Sequence, residues 1–401
     1  MGNQDAFDSV LASLGQNAQE KGKRFEKAVK WWLVNDSIWK NEFIPGSVLL
    51  WDESPFRDGP DIGIDLTAED IRGNTWAIQV KNWQESRALP KSEIDKFLSA
   101  SNTKTFTHRL LVSTTDSLSK NAQRAIEAQE KPCTIVLRPQ LRDSSAWGSF
   151  DYHSKAKPAG TRKLFAHQAA AVADVVRELK DGGRGQLIMA CGSGKTITAQ
   201  RISEELDSSS TLVLLPSLLL VQQTLQSWRN ESREPFISLS ICSDQSVNGD
   251  EPVSRTSDLP FPVTTDIEEI KKFLKLSGKK VIFSTYQSSE RLAEAIQQEP
   301  FSFDLVISDE AHRLAGKVDR AYGTIFRGGS IPSNRYLFMT ATPKVFSSRI
   351  LSAAKEEQIE VNSMDDDDKF GKVLHNFSFS DAIEEKVLTD YRVVLMGVDD
   401  A

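Results

Sequence analysis

Long apolar runs are missing from this chain. Across 401 residues none approaches the ~20 residues that a membrane helix requires. Cysteine is scarce. Cys133, Cys191 and Cys242 are scattered, which indicates neither a disulfide framework nor a zinc site. The start, Met1-Gly-Asn-Gln-Asp, has none of the basic and apolar character of a secretory signal. Ala6 stands where a myristoylation signal requires Ser or Thr. The expected compartment is the cytoplasm. A surplus of positive charge is also missing. The net charge of −7 argues against a protein whose whole surface binds polyanions, but a groove needs only a handful of well-placed cations.

What is present is an ordinary globular composition, 39% hydrophobic and 26% charged, at a length that suggests two or three domains. The chain is organised around Met189-Ala-Cys-Gly-Ser-Gly-Lys-Thr196. This octapeptide follows a short apolar strand, residues 186–190, and opens a helix over 196–206. That setting suits a phosphate-binding loop. Gly192 and Gly194 let the backbone curl so that its N–H groups, that of Ser193 included, face phosphate, and the helix N-terminus adds partial positive charge. Lys195 would reach the β/γ-phosphates of ATP and the Thr196 hydroxyl would ligate Mg²⁺. The strict pattern has Gly at 189, where this chain has Met. Taken alone, Gly-Ser-Gly-Lys-Thr also suits an ordinary turn.

The region before this loop carries a second constellation. Phe25, Val29, Trp32 and Leu33 recur at helical spacing, with Glu26 beside the stripe. A strand is expected at 48–51. In Asp61-Ile-Gly-Ile-Asp-Leu66, alternation places Ile62, Ile64 and Leu66 on one face and Asp61 and Asp65 on the other. In Trp76-Ala-Ile-Gln-Val-Lys81 it places Trp76, Ile78 and Val80 on the apolar face and Gln79 and Lys81 on the polar one. Asp65, Gln79 and Lys81 would then share a groove. A carboxylate and a second oxygen ligand can hold Mg²⁺, which polarises a scissile phosphate and lowers the pKa of a bound water. A lysine beside it can stabilise developing charge, and Glu26 could complete the shell. A half-exposed hairpin with solvated polar residues fits the same strands. Asp61 rivals Asp65 as the metal ligand. A helix around Ile94, Phe97 and Leu98, a strand at 110–115, a helix around Ala125 and a strand at 134–138 would complete a small mixed sheet.

Residues 139–161 break periodicity with Pro139, Gly148, Pro158 and Gly160 and read as a linker. Trp147, Phe150 and Tyr152 suggest that it docks on a domain. Beyond it strands and helices alternate, with polar clusters at strand ends: Pro216-Ser217, Thr285-Tyr-Gln-Ser288, Asp309-Glu-Ala-His312 and Thr340-Ala-Thr342. This order describes a doubly wound sheet with its site along one edge. Asp309 would hold the metal and Glu310 would position the attacking water. A helix N-cap with acidic first-turn residues is the alternative for Asp-Glu-Ala-His alone. Residues 243–266 read as a surface loop, Asp365 to Asp368 as a solvated loop, 381–388 as helix and 391–397 as a strand.

Lys23-Arg-Phe-Glu26, Asp61-Ile-Gly-Ile-Asp65, Gln79-Val-Lys81 and Leu110 to Thr115 together resemble the Mrr-like branch of the PD-(D/E)xK nucleases. The resemblance implies that Asp65 and Lys81 are catalytic, with Gln79 in place of the usual acid and Glu26 in support. Residues 162–345 resemble the first RecA-like lobe of a superfamily 2 helicase or translocase of the DEAH type. That resemblance implies Gln168 as the adenine-reading residue, Lys195 and Thr196 as Walker A, and Asp309 and Glu310 as Walker B. It also implies His312 and Thr340 to Thr342 as coupling elements, and Pro216, Ser217, Thr285, Tyr286, Gln287 and Ser288 as contacts to nucleic acid. The expected fold is thus α/β: a PD-(D/E)xK mixed-sheet nuclease domain at 1–138 and a RecA-like P-loop lobe at 162–345. Residues 346–401 would lead toward a second lobe. The order of the two domains resembles the N-terminal part of single-polypeptide Type I (Type ISP) restriction-modification enzymes. This implies Mg²⁺-dependent endonuclease cleavage coupled to ATP-driven translocation on double-stranded DNA, in restriction of foreign DNA. A methyltransferase and a target-recognition domain would follow in a longer chain. A stand-alone defence or repair nuclease-helicase, and an ATP-switched DNA-binding module with a non-catalytic nuclease fold, are the alternatives.

Overall fold

The computed structural model describes residues 3–15, 17–57, 63–154, 161–243, 255–317, 324–326, 330–357 and 361–390. The elements run in chain order. The first group is α1 (Asn3–Ser13), α2 (Ala18–Asn35), β1 (Leu49–Leu50), β2 (Leu66–Glu69), β3 (Thr75–Lys81), α3 (Asp95–Ala100), β4 (His108–Ser113), α4 (Lys120–Glu127), β5 (Cys133–Val136) and α5 (Arg138–Asp143). Next come α6 (Ala166–Leu179), β6 (Gly183–Met189), α7 (Lys195–Glu205) and β7 (Ser210–Leu215), followed by α8 (Leu218–Glu231), β8 (Ile237–Ile241), α9 (Ile267–Lys275), β9 (Lys280–Thr285) and α10 (Ser289–Gln298). The last are β10 (Leu305–Ser308), β11 (Gly316–Lys317), β12 (Arg335–Thr340), α11 (Ser348–Glu356), β13 (Val361–Asn362), α12 (Asp367–Phe370), β14 (Lys372–Phe377) and α13 (Phe379–Glu384). The chain divides into two compact units, one of residues 1–162 and 215–301, the other of residues 163–214 and 302–401.

The first unit contains a mixed five-stranded sheet in the order β1-β2-β3-β4-β5. β1, β2 and β3 are antiparallel, and β3, β4 and β5 are parallel. Alternation along β3 divides its side chains between two cores. Trp76, Ile78 and Val80 join Leu110, Val112 and the buried residues of α1 and α2. Ala77 joins Leu111, Ile135, Phe97 and Ala122 on the other face. α2 begins at Asn17, whose side chain accepts from the N–H groups of Gln19 and Glu20, and it buries Phe25, Ala28, Val29, Trp31, Trp32 and Leu33.

Two expectations change here. The strand expected over 61–66 starts only at Leu66. Gly63 has a φ of +95°, which breaks the extended backbone, so the period resets. Ile64 falls into the core with Ala77, and Leu66 and Ala68 into the opposite one. Asp61 and Ile62 lie outside the described residues. Residues 139–149, read as linker, form most of α5 and a 3-10 turn at Ser145–Ser149. Leu141, Ala146 and Trp147 are core residues, with Trp147 stacked on Trp32 at 6.3 Å between ring centres. At the N-terminus α1 buries Phe7, Val10 and Leu11. The same unit holds the parallel pair β8–β9 with α8, α9 and α10.

The second unit is built on parallel strands in the order β14-β6-β12-β10-β7. Leu187, Ile188, Val306, Ile307, Leu337, Phe338, Leu212 and Val213 make its interior, and near-continuous apolar runs of this kind belong to parallel strands covered on both faces. Because the strands are parallel, the residues that follow β6, β10 and β12 emerge along one edge. The acidic run is not simply a loop. Asp366 caps α12 by accepting from the N–H groups of Asp368 and Lys369. The helix expected over 381–388 is α13, ending at Glu384. The strand expected at 391–397 lies outside the described residues.

Candidate nuclease and nucleotide sites

The nuclease candidates sit where β2 meets β3. Asp65, just before β2, is tied to β3 by its N–H donating to Ile78 O at 2.9 Å. Its Oδ2 accepts from the N–H of Val80 at 2.7 Å. Gln79 is 3% exposed. Its Nε2 donates to Gly63 O at 3.1 Å, which fixes the amide, yet its Oε1 is buried with no hydrogen-bond partner among the described residues. Buried polar atoms are ordinarily satisfied. This oxygen, on the residue before the Val80 N–H that holds the Asp65 carboxylate, therefore marks a place that a cation could fill. Gly63 is needed for this geometry. Its φ is positive, and a Cβ there would lie 3.2 Å from Lys96 Cβ and from Phe97 N at the start of α3.

Lys81 ends β3 on the face of Ala77 and Gln79, and its Nζ stands 3.5 Å from Glu93 Oε2. Sequence reasoning missed Glu93, because no spacing rule links a strand end to a short turn twelve residues on. Glu26 lies half-buried on α2, whose buried residues pack on the opposite face of the sheet, with Trp76, Ile78 and Val80. Among the described residues no three acids, histidines or cysteines converge on one point.

The nucleotide candidates gather at the strand edge of the second unit. Met189 ends β6 fully buried, and it is not among the positive-φ residues, so this first loop position has no need of glycine. Gly192 and Gly194 do have positive φ, +79° and +90°. A Cβ on Gly194 would overlap Gln168 Nε2. Gln168 was read as an adenine contact, but here its amide is engaged locally. Oε1 accepts from Phe165 N at 3.0 Å and Nε2 donates to Ser193 O at 3.0 Å. His167, unremarked in the sequence, also reaches Ser193 O at 3.0 Å and stacks between Phe165 and Phe377.

Lys195, opening α7, lies 3.7 Å from Glu310 Oε1. Asp309 follows β10 and is 8% exposed. Burial, reinforced by Glu310, pushes its carboxyl up to about 6 against the pull of Lys195. A cation beside it would reverse that shift. Glu310 adopts φ +50°, a left-handed conformation that is costly for a side-chain-bearing residue. His312 Nδ1 is 2.9 Å from Thr340 Oγ1 and 3.4 Å from Glu310 Oε2, and Thr342 N donates to the same Thr340 oxygen at 3.1 Å. Burial lowers the His312 pKa from its ordinary value. Lys195, Glu310, His312 and Thr340 thus form one chain of contacts, as the motif order led us to expect. Such a chain can bind phosphate at one end and report its state at the other.

The expected nucleic-acid contacts come close together in the first unit, where Tyr286 N donates to Leu215 O at 3.0 Å. Their side chains are mostly inside. Pro216, Ser217, Thr285, Tyr286 and Ser288 are buried. Ser217 caps α8 through Leu220 N, and Thr285 Oγ1 accepts from Ser288 N at 3.3 Å. Half-buried Gln287 is the most accessible of the six.

Comparison with known proteins bears on the two domains that carry these residues. Residues 34–157 match a restriction endonuclease family, and residues 161–345 match the family of Type III restriction enzyme res subunits. Among solved structures, the ATP-dependent Type ISP restriction-modification enzyme LlaBIII bound to DNA is similar over 98% of this chain, with 30% identity and a TM-score of 0.76. Among curated proteins, the probable helicase A859L of African swine fever virus (isolate Tick/Malawi/Lil 20-1/1983) is 28% identical over 239 residues, 59% of this chain. The Type I restriction enzyme EcoAI endonuclease subunit of Escherichia coli is 28% identical over 239 residues, 58% of this chain. The chain spans about a quarter of the length of these relatives, 26% of the first and 24% of each of the others. Its two halves therefore join a restriction-endonuclease domain of the Mrr kind to a helicase domain of the restriction-enzyme res kind, the arrangement of a Type ISP enzyme.

Proposed function

We propose that this chain is the cleaving and motor-bearing part of a restriction enzyme: a Mg²⁺-dependent DNA endonuclease joined to the first lobe of an ATP-driven translocase on double-stranded DNA. The observation that supports the nuclease half is the buried Oε1 of Gln79, without a partner among the described residues, next in sequence to Val80, whose N–H binds the Asp65 carboxylate. Asp65 and Gln79 would hold the metal, which when bound polarises the scissile phosphate and acidifies a water. With one acid and one neutral amide from the described residues, a bound cation would leave room for phosphate and water oxygens, as Mg²⁺ favours. Lys81 contributes positive charge where the phosphate becomes more negative.

In the second unit, the N–H groups of the loop from Gly192 to Lys195 and the Lys195 ammonium would cradle the ATP phosphates. Thr196 and Asp309 would hold Mg²⁺, and Glu310 would orient the attacking water. Gln168 would shape the loop and turn to the adenine on binding. Duplex DNA as the substrate is supported by the DNA-bound state of the LlaBIII enzyme, with the strand ends at 216–217 and 285–288 facing its backbone. A second RecA-like lobe, a methyltransferase and a target-recognition domain would be its partners, working in the cytoplasm.

Mg²⁺-dependent cleavage of plasmid DNA tests the nuclease half, beside Asp65→Ala and Lys81→Ala. ATP hydrolysis by wild type and Glu310→Gln tests the motor half. Cleavage undiminished by Asp65→Ala, or hydrolysis undiminished by Glu310→Gln, would sink the corresponding half.

A further inference from the structure

We propose that Glu93 holds the place of a DNA phosphate at Lys81, keeping the ammonium poised over the groove until a phosphate displaces it. The inference rests on the nuclease reading and adds a positioning residue to it. Lys81 Nζ and Glu93 Oε2 are 3.5 Å apart, with side chains 26% and 36% exposed. Glu93 is not on a loose loop. It ends a 3-10 turn, Lys91–Glu93, entered from Pro90. Its N–H donates to Pro90 O, and the following Ile94 N–H donates to Lys91 O. Ile94 is fully buried. Upstream, Leu89 N donates to Ser117 O and accepts through its carbonyl from Ser119 N. The carboxylate is therefore presented by fixed backbone. Its neighbour Lys91 pairs with Asp95 at 2.6 Å, so Glu93 is the acid of this turn that reaches the end of β3.

The separation is longer than the ~2.7–2.9 Å of a tight charge-assisted bond, and a part-exposed pair of this kind is weak. That is the property a placeholder needs. It orients a long, flexible side chain that would otherwise sample many rotamers, yet yields to a DNA phosphate at small cost. A carboxylate held at the ammonium takes up part of its charge and repels an approaching phosphate, so the pair weakens the DNA contact until it opens.

The test is duplex DNA binding in EDTA at low ionic strength, where charge contacts are least screened. It is read by fluorescence anisotropy for wild type, Glu93→Gln, Lys81→Ala and the double variant. Freeing Lys81 is expected to tighten binding by about two- to five-fold, the range that an exposed pair can supply, with no gain when Lys81 is already alanine. An equal gain in both backgrounds would mean that Glu93 merely adds negative surface charge, and would overturn the proposal. So would no gain at all. In cleavage by the wild-type sequence background, Glu93→Gln is expected to lower KM by a similar factor and leave kcat unchanged. A lower kcat at constant KM would contradict a placeholder. Binding in EDTA is independent of catalysis, so this outcome stands apart from the Asp65→Ala test of the nuclease reading.

Discussion

Replacing Gly194 by alanine should disable the nucleotide loop by two separable routes. The first is backbone strain. Gly194 has φ +90°, and an L-residue held in left-handed space costs roughly 1–2 kcal/mol. The second is collision. The new methyl would overlap Nε2 of Gln168, displacing the amide from Ser193 O and losing a hydrogen bond of about 0.5–1.5 kcal/mol. Together these come to about 1.5–3.5 kcal/mol, or about 10- to 300-fold weaker ATP binding at tenfold per 1.4 kcal/mol. A fluorescent ATP analogue titrated against wild type, Gly194→Ala, Gln168→Ala and the double variant separates the routes. With Gln168 already truncated, the alanine step should cost only the strain, so the two costs should differ by about 1 kcal/mol. Wild-type affinity in Gly194→Ala would refute both parts. An equal loss with and without the Gln168 side chain would refute the collision.

Other outcomes follow from the same geometry. Trp147→Ala removes a buried ring stacked on Trp32 and should destabilise the first unit by about 3–5 kcal/mol in urea unfolding, whereas a residue of a mere linker would leave the midpoint unchanged. Burial raises the Asp36 carboxyl above its ordinary value, so its contribution to stability is complete at low pH and lost as pH rises through the raised value. Asp36→Asn keeps the acceptor for Ile38 N and Trp39 N; its Tm relative to wild type should therefore climb from pH 4 to pH 8, and a pH-independent difference would contradict this. Gly63→Ala should cost about 1–3 kcal/mol of local strain and lower cleavage at least as much as stability, measured as plasmid nicking beside the thermal midpoint, because Gly63 O holds the Gln79 amide.

Much of the second unit was legible because its motifs combine an apolar strand with a polar terminus, and the parallel sheet gathers those termini at one edge. β14 was not. Its exposed and half-buried residues, Lys372 to Asn376, give no apolar period, and only pairing with β6 makes them a strand. β8, Ile237-Ser-Leu-Ser-Ile241, does alternate and was overlooked within a stretch dominated by polar loop residues. In the nuclease region β3 obeyed its alternation and so placed Gln79 and Lys81 correctly. The error at Ile62, Ile64 and Leu66 came from extending a period of two through Gly63, whose positive φ resets it. Pro139 and Gly148 hid α5, because proline at a helix start is as compatible with a helix as with a break, whereas the aromatic Trp147 did point to docking. Glu93 and His167 act through tertiary contacts that no local pattern encodes.

The metal centre depends most on the buried Oε1 of Gln79. Crystals soaked in Mn²⁺ and measured at its absorption edge test it directly. An anomalous peak coordinated by Asp65 and by Gln79 Oε1, lost in Asp65→Ala, is the predicted result. A well-ordered site with both side chains in place and no metal at saturating Mn²⁺ would contradict a metal-dependent nuclease centre here.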